Sequence, residues 1–189
     1  MIRIILSVCA MLSAAAFPTL ALSADDHKHE HEHEDVKEAV AILVPMKASG
    51  VAGTIVLKQE KGYALVTGEV TGLKPGKHGF HVHMFGDLRA ADGMSAGGHY
   101  NPHGHPHGGP ESKERHEGDL GNIEADAKGV AKVNVKAEGL EVDDVVGRAV
   151  VVHGDADDLK SQPAGNAGPR IALGIIGIAE VKAPAAAKK

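Results

Sequence analysis

Short apolar runs broken by turn residues fill the chain from residue 39 onward. Residues 39–44 (Ala-Val-Ala-Ile-Leu-Val) and 51–59 read as the first two strands, with Gly50 and Gly53 at the start of the second. Residues 63–73 alternate. Ala64, Val66, Gly68 and Val70 share one face, and Leu65, Thr67 and Glu69 share the other. Lys74-Pro75-Gly76 is the turn that ends this third strand. A fourth strand is predicted over 79–85. After a long gap, 120–124 and 130–137 form a hairpin around Asp126-Ala-Lys-Gly129. Residues 148–153 and 171–181 supply the seventh and eighth strands. No internal repeat and no amphipathic helix of convincing length is present. Eight short strands with regular turn signals predict an all-β antiparallel sandwich or flattened barrel. The connections 86–119 and 154–170 exceed ordinary loop lengths, and loops that long in a compact domain are functional or disordered.

Composition agrees with one domain plus tails. Of 189 residues only 3% are aromatic, none is Trp and 24 are Gly, as suits an all-β chain with many turns. A formal net charge of −5 argues against a nucleic-acid or membrane-surface binder. Residues 1–24 read as a cleaved secretory signal: Arg3 is the only charge, an apolar core follows, and small residues approach Ala24. The expected destination is the periplasm or the outside, and no second apolar run could span a bilayer. Residues 25–38 predict a disordered arm, with His27, His29, His31 and His33 able to catch metal loosely or simply to keep the arm solvated. The folded domain is expected over 39–182, followed by a frayed tail, 183–189. Cys9, the only cysteine, lies in the signal, so the mature chain has no disulfide of its own.

The chemistry concentrates between His78 and Asp119. His78, His81, His83, His99, His103, His105, His107 and His116 all fall there, mostly beside Gly, Pro or Asn. His81 and His83 are two apart in a strand, so they share a face. His153 ends an otherwise apolar strand. Imidazoles suit zinc and copper, and a carboxylate such as Asp119 can complete a zinc site.

The motifs Gly79-Phe-His-Val-His-Met-Phe-Gly-Asp87, Ser95-Ala-Gly-Gly-His-Tyr-Asn-Pro102, His107-Gly-Gly-Pro110, Arg115-His-Glu-Gly-Asp-Leu-Gly-Asn122, Val151-Val-His-Gly-Asp-Ala-Asp-Asp-Leu159 and Gly165-Asn-Ala-Gly-Pro-Arg170 follow one another in the order of copper/zinc superoxide dismutases. Residues 40–181 resemble that family, with a eukaryotic-type loop pattern. The resemblance implies an eight-stranded antiparallel Greek-key barrel with two long functional loops. It implies copper on His81, His83, His99 and His153, and zinc on His99, His107, His116 and Asp119, with His99 as the bridge. Asp157 would link a copper-ligand histidine to a zinc-ligand histidine, and Arg170 would receive the anionic substrate. The implied reaction is dismutation: copper is reduced by one superoxide, releasing O2, and reoxidised by a second, giving H2O2, with His99 delivering a proton. Superoxide is then the small-molecule partner, and the resemblance leaves room for a homodimer.

The chain also departs from the family pattern. Gly93 and Leu173 stand where the family has a disulfide, which leaves zinc as the expected anchor of the 86–119 loop. His103 and His105 have no counterpart; His105 competes with His107 for zinc, and the His-Gly-Gly-Pro motif selects His107. The second connection looks short, Ala164 replaces a channel Thr, and Lys160 is its only other cation. The rival readings are a non-catalytic copper/zinc carrier, which the His-rich arm favours, and an adhesion module with a structural metal, against which Asp157 and the apolar His153 strand speak.

Overall fold

The computed structural model describes residues 35–180. The expected signal, the part of the 25–38 arm that bears His27 to His33 and the 183–189 tail lie outside the described residues, whereas Glu38, expected in the arm, opens the first strand. Eight strands follow in chain order: β1 (Glu38–Pro45), β2 (Ala52–Glu60), β3 (Tyr63–Thr71), β4 (Gly76–His83), β5 (Asp119–Ala125), β6 (Ala131–Glu138), β7 (Ala149–His153) and β8 (Arg170–Ile178). All paired strands are antiparallel, and the hydrogen-bonded order is β5-β4-β7-β8-β1-β2-β3-β6. β8 pairs with β1 on one side and β7 on the other, so it belongs to both faces of the barrel. The ends of the order, β5 and β6, are consecutive in sequence and joined by the Asp126–Gly129 turn, which nearly closes the barrel.

Period-2 geometry sorts the side chains. Ala39, Ala41 and Leu43 of β1 point inward with Ile55 and Leu57 of β2, Val66 and Val70 of β3, and Ile176 of β8. Phe80 is the largest fully buried side chain, and Tyr100 joins it in the same cluster. A second, smaller apolar cluster lies outside the barrel: Met46, Ala96, Ala149, Val151 and Leu173, with Leu88 packed against it. It sits beneath the first part of the 84–118 connection.

Several boundaries differ from expectation. β3 stops at Thr71 because Gly72 turns into the left-handed region, φ 79°. β4 starts three residues early, at Gly76, and stops at His83. Beyond it, Met84 and Phe85 donate their N–H groups to Gly98 and Ala96 of the loop instead of to a strand. β8 ends at Ile178, three residues short of the expected end. A one-turn helix, α1 (Val142–Val145), was not expected, because four residues are too few to display a helical period.

Candidate metal centre

β4 is buried on both faces, and this positions the first two histidines. Phe80 and Val82 enter the barrel core, so His81 and His83 must face outward, under the long connections. β7 does the same: Val150 and Val152 point in, Val151 and His153 out. His81 lies opposite Val151, and His83 opposite Ala149. His99 arrives from the loop through a backbone bridge to His83, flanked by Tyr100 N–H donating to the Val82 carbonyl. His81, His83, His99 and His153 are all buried, and their ligand atoms lie within 4.8 Å of one another.

His99, His107, His116 and Asp119 form a second buried group with the same spacing. Asp119 begins β5, and its Oδ1 lies 2.7 Å from His99 Nδ1, 3.1 Å from His116 Nδ1 and 3.1 Å from His107 Nδ1. The last contact is within ion-pair range but out of line for a hydrogen bond. Asp119 Oδ2 accepts the backbone N–H groups of Gly108 and His116, which fixes the carboxylate. His107, not His105, joins this group.

Asp157 ties the two groups together. Its Oδ2 is 2.8 Å from His81 Nε2 and its Oδ1 is 3.0 Å from His107 Nε2. Asn122 of β5 holds it from both sides, accepting from Asp157 N–H and donating to the Asp157 carbonyl. Gln162 clamps His107 in the same two-sided way, through the His107 N–H and carbonyl. Gly165 has φ 64°, and a Cβ there would run into the Asp157 carboxylate and the His107 ring. Only glycine satisfies both demands.

Burial lowers most of the ligand histidines, His116 of the second group included, and His107 is the one that is raised. Burial lowers His81 to about 4, against partial opposition from Asp157, and lowers His153 to about 3. Burial likewise pushes His83 well below the ordinary histidine value, helped by the neighbouring His99, His153 and Arg170. In the second group burial also opposes charge on His107, but the carboxylates of Asp119 and Asp157 outweigh it and raise His107 to about 9. Burial would raise Asp119 and Asp157, yet their histidine partners hold both well below the usual carboxylate range.

A cleft of about 600 Å³ opens onto both groups, lined by His83, His99, His116, His153, Ala164 and Arg170 among others. Arg170 begins β8, and its guanidinium donates to the carbonyls of Gly93 and Gly97, which aims it across the cleft mouth. Lys47 also lines the cleft and Lys160 does not. Lys47 was missed because it lies far away in sequence, after β1, where only folding brings it to the site. His78 is not a ligand: its two ring nitrogens lie 2.8 Å from the carbonyls of His153 and Lys74, bracing the end of β7.

The model of the copper/zinc superoxide dismutase family matches residues 51–176. The chain belongs to that family. A crystal structure of a clock protein, EA4, is 37% identical and superposes with a TM-score of 0.72, covering 79% of this chain and 99% of its own.

Membership of the copper/zinc superoxide dismutase family implies copper and zinc, and the donors present here fit both. His83 Nδ1 and His153 Nδ1 each face a carbonyl, of Gly97 at 2.9 Å and Gly168 at 3.2 Å, so both donate their protons there. Their Nε2 atoms are then lone pairs facing each other at 3.4 Å, an arrangement that a cation between them reconciles. His81 Nδ1, His99 Nε2 and His107 Nδ1 are buried without a hydrogen-bond partner. Buried polar atoms are seldom left so, and metal ligation explains all three. Four imidazoles suit a copper that changes oxidation state; three imidazoles and a carboxylate suit zinc.

Proposed function

We propose that the protein is an exported copper/zinc superoxide dismutase, converting two superoxide anions and two protons to O2 and H2O2. The observation that carries this reading is the juxtaposition of the two ligand groups, joined by His99 and Asp157, with a cleft closed on one side by Arg170. His81, His83, His99 and His153 hold copper; His99, His107, His116 and Asp119 hold zinc. Copper supplies the one-electron couple for both half-reactions, and zinc, which has no redox chemistry, orders its ligands.

The remaining work belongs to the chain. Arg170 attracts the anion, and its fixed guanidinium holds the substrate beside His83 and His153. Asp119 anchors His99 at Nδ1, leaving Nε2 as the atom that hands a proton to the reduced substrate. The carboxylate of Asp157 fixes the tautomers of His81 and His107, so that each presents Nδ1 to its metal.

A carrier would need the ligands but neither Arg170 nor an open cleft. Superoxide decay, followed together with copper and zinc content, separates the two readings. His83→Ala is expected to lose turnover to background while zinc stays bound. Full activity without copper overturns the assignment.

Export rests on the sequence of residues 1–24 and is tested by finding the mature protein, shortened at its N-terminus, in the periplasmic or culture fraction. Homodimer formation is supported by exposed apolar side chains on the β1–β8 pair and at Phe85. Ile42 and Ile175 are 59% and 45% exposed and near one another across the β1–β8 pair, and Ile175 reaches Gly86, next to Phe85. Phe85→Glu should convert a sedimenting dimer into a monomer; an unchanged mass refutes this interface.

A further inference from the structure

His103 and His105 take no part in the two buried ligand groups, yet the fold sets them in a defined place. Asn101 grips the turn that carries them: its Oδ1 accepts from His105 N–H at 3.0 Å, and its Nδ2 donates to the His105 carbonyl at 2.9 Å. His105 Nδ1 lies 3.2 Å from the Arg115 carbonyl, which can only accept, so Nδ1 carries the proton and Nε2 the lone pair. A backbone carbonyl on the far ring nitrogen is how ligating histidines are oriented. His103 Nε2 lies 2.8 Å from Glu117 Oε1. Two tetrahedral zinc ligands at about 2.0–2.1 Å from the metal stand roughly 3.3 Å apart, so this pair needs to part only slightly to admit an ion.

The two rings are 5.8 Å apart between centroids. Pairs within the copper group range from 4.0 Å for His81 and His99 to 6.4 Å for His81 and His83. Ring spacing is thus comparable, but the ligand atoms of His103, His105 and Glu117 do not all lie within 4.8 Å of one another as those of the two buried groups do, so His103 has to turn to complete the site. The His103 side chain is 61% exposed and free to turn toward His105. The carboxylate of Glu117, mostly buried, brings the negative charge that two neutral imidazoles lack.

We propose that His103, His105 and Glu117 form an accessory site for divalent zinc, with water completing the tetrahedron. Its place gives it a role. His105 is two residues before His107, and Glu117 directly follows His116. An ion held there ties together the two loop segments that deliver these zinc ligands, and captures zinc at the loop rim, beside its buried destination. The site does not depend on which reaction the buried centre performs.

The test uses the full chain, loaded with copper and zinc at the buried groups, with His27, His29, His31 and His33 changed to Gln so that the arm holds no metal. Equilibrium dialysis against micromolar zinc is expected to show one further equivalent. His103→Gln, a change on an exposed side chain that leaves the fold intact, should weaken that equivalent by about tenfold or more, and His103→Gln with Glu117→Gln should abolish it. With limiting zinc, His103→Gln should also fill the buried zinc group more slowly, read by the protection of the 102–117 segment from protease. No further equivalent in the parent, or one that survives the double change, overturns the proposal.

Discussion

The two halves of the 84–118 connection are held by different physics. The first half is packed and paired. Met84 and Phe85 bond Gly98 and Ala96, Ser95 Oγ donates to the Asp87 carbonyl, and Leu88 and Ala96 join Leu173 in the outer apolar cluster. A Cβ on Gly93 would lie 2.8 Å from Leu173 Cδ1, so the two positions where the family has a disulfide still meet, now as side chain against backbone. Met94, by contrast, is 62% exposed and takes no part. The second half has no such cluster of its own. His99, His107, His116 and Asp119 converge there, supported by Asp157, Asn101 and Gln162. Apolar packing works without an ion, whereas a lattice of buried ligands calls for one. The expectation that zinc replaces the lost staple over the whole loop is thus narrowed to residues 102–117.

That contrast can be broken by trypsin, and the effect should be large. Removing zinc is expected to open Lys113 and Arg115 to cleavage while Arg89, in the first half, stays resistant. Leu173→Ala should do the reverse, opening Arg89, because it empties the outer cluster at a cost of about 2–5 kcal/mol. Reductant should alter neither pattern. Equal protection of Lys113 with and without zinc would show that the second half has an anchor other than its ligands.

Arg170 joins the first half to the cleft, so it sharpens the comparison at the level of rate. Arg170→Glu should slow turnover by about tenfold or more, since it reverses the charge at the cleft mouth and releases the Gly93 and Gly97 carbonyls. Lys47→Glu should slow it by roughly twofold, in proportion to its place on the cleft wall. Lys160→Glu, outside the wall, should have the smallest effect of the three. All three are read by pulse radiolysis at low and high salt, and an Arg170→Glu rate equal to the parent's refutes the steering role.

The smallest effect is a pH signature of the second half. In the metal-free protein His107 holds its proton more tightly when folded, because Asp119 and Asp157 outweigh burial and raise it from 6.5 to about 9. That stabilisation is complete below 6.5 and fades as pH climbs through about 9. The copper-group histidines act in the opposite sense. Burial lowers His81 to about 4 and His153 to about 3, so stability declines as pH falls below 6.5 toward those values. Thermal unfolding of the metal-free protein should therefore peak near neutral pH, and Asp157→Asn should flatten the alkaline side through His107 while also changing the acid side, where Asp157 supports His81 and is itself held low by its histidine partners. Near neutral pH, zinc binding should release about one proton from His107, measured by calorimetry in buffers of different ionisation enthalpy. No proton release would place His107 neutral and remove the carboxylate effect.

Periodicity and turn residues alone determined eight strands close to the observed ones, since a half-buried strand must alternate and Gly or Pro must mark where it stops. The resemblance to copper/zinc superoxide dismutases, carried by the order of the motifs, implied His81, His83, His99, His153, His107, His116 and Asp119 as two sets sharing His99, and the fold gathers those same side chains. Local sequence could not say which face of β1 is buried, because residues 39–44 are apolar on both sides; only pairing with β2 and β8 turned Ile42 outward. Nor could it show that Lys47, rather than Lys160, stands on the cleft, or that Asn122 and Gln162 lock Asp157 and His107. These contacts join residues 35 or more positions apart, and a polar side chain leaves no periodic trace of a partner that far away. The tertiary structure also decided how a loop without a disulfide stays closed: Leu173 is fully buried because β8 carries it under Gly93, a proximity set by strand register rather than by anything in the residues around it.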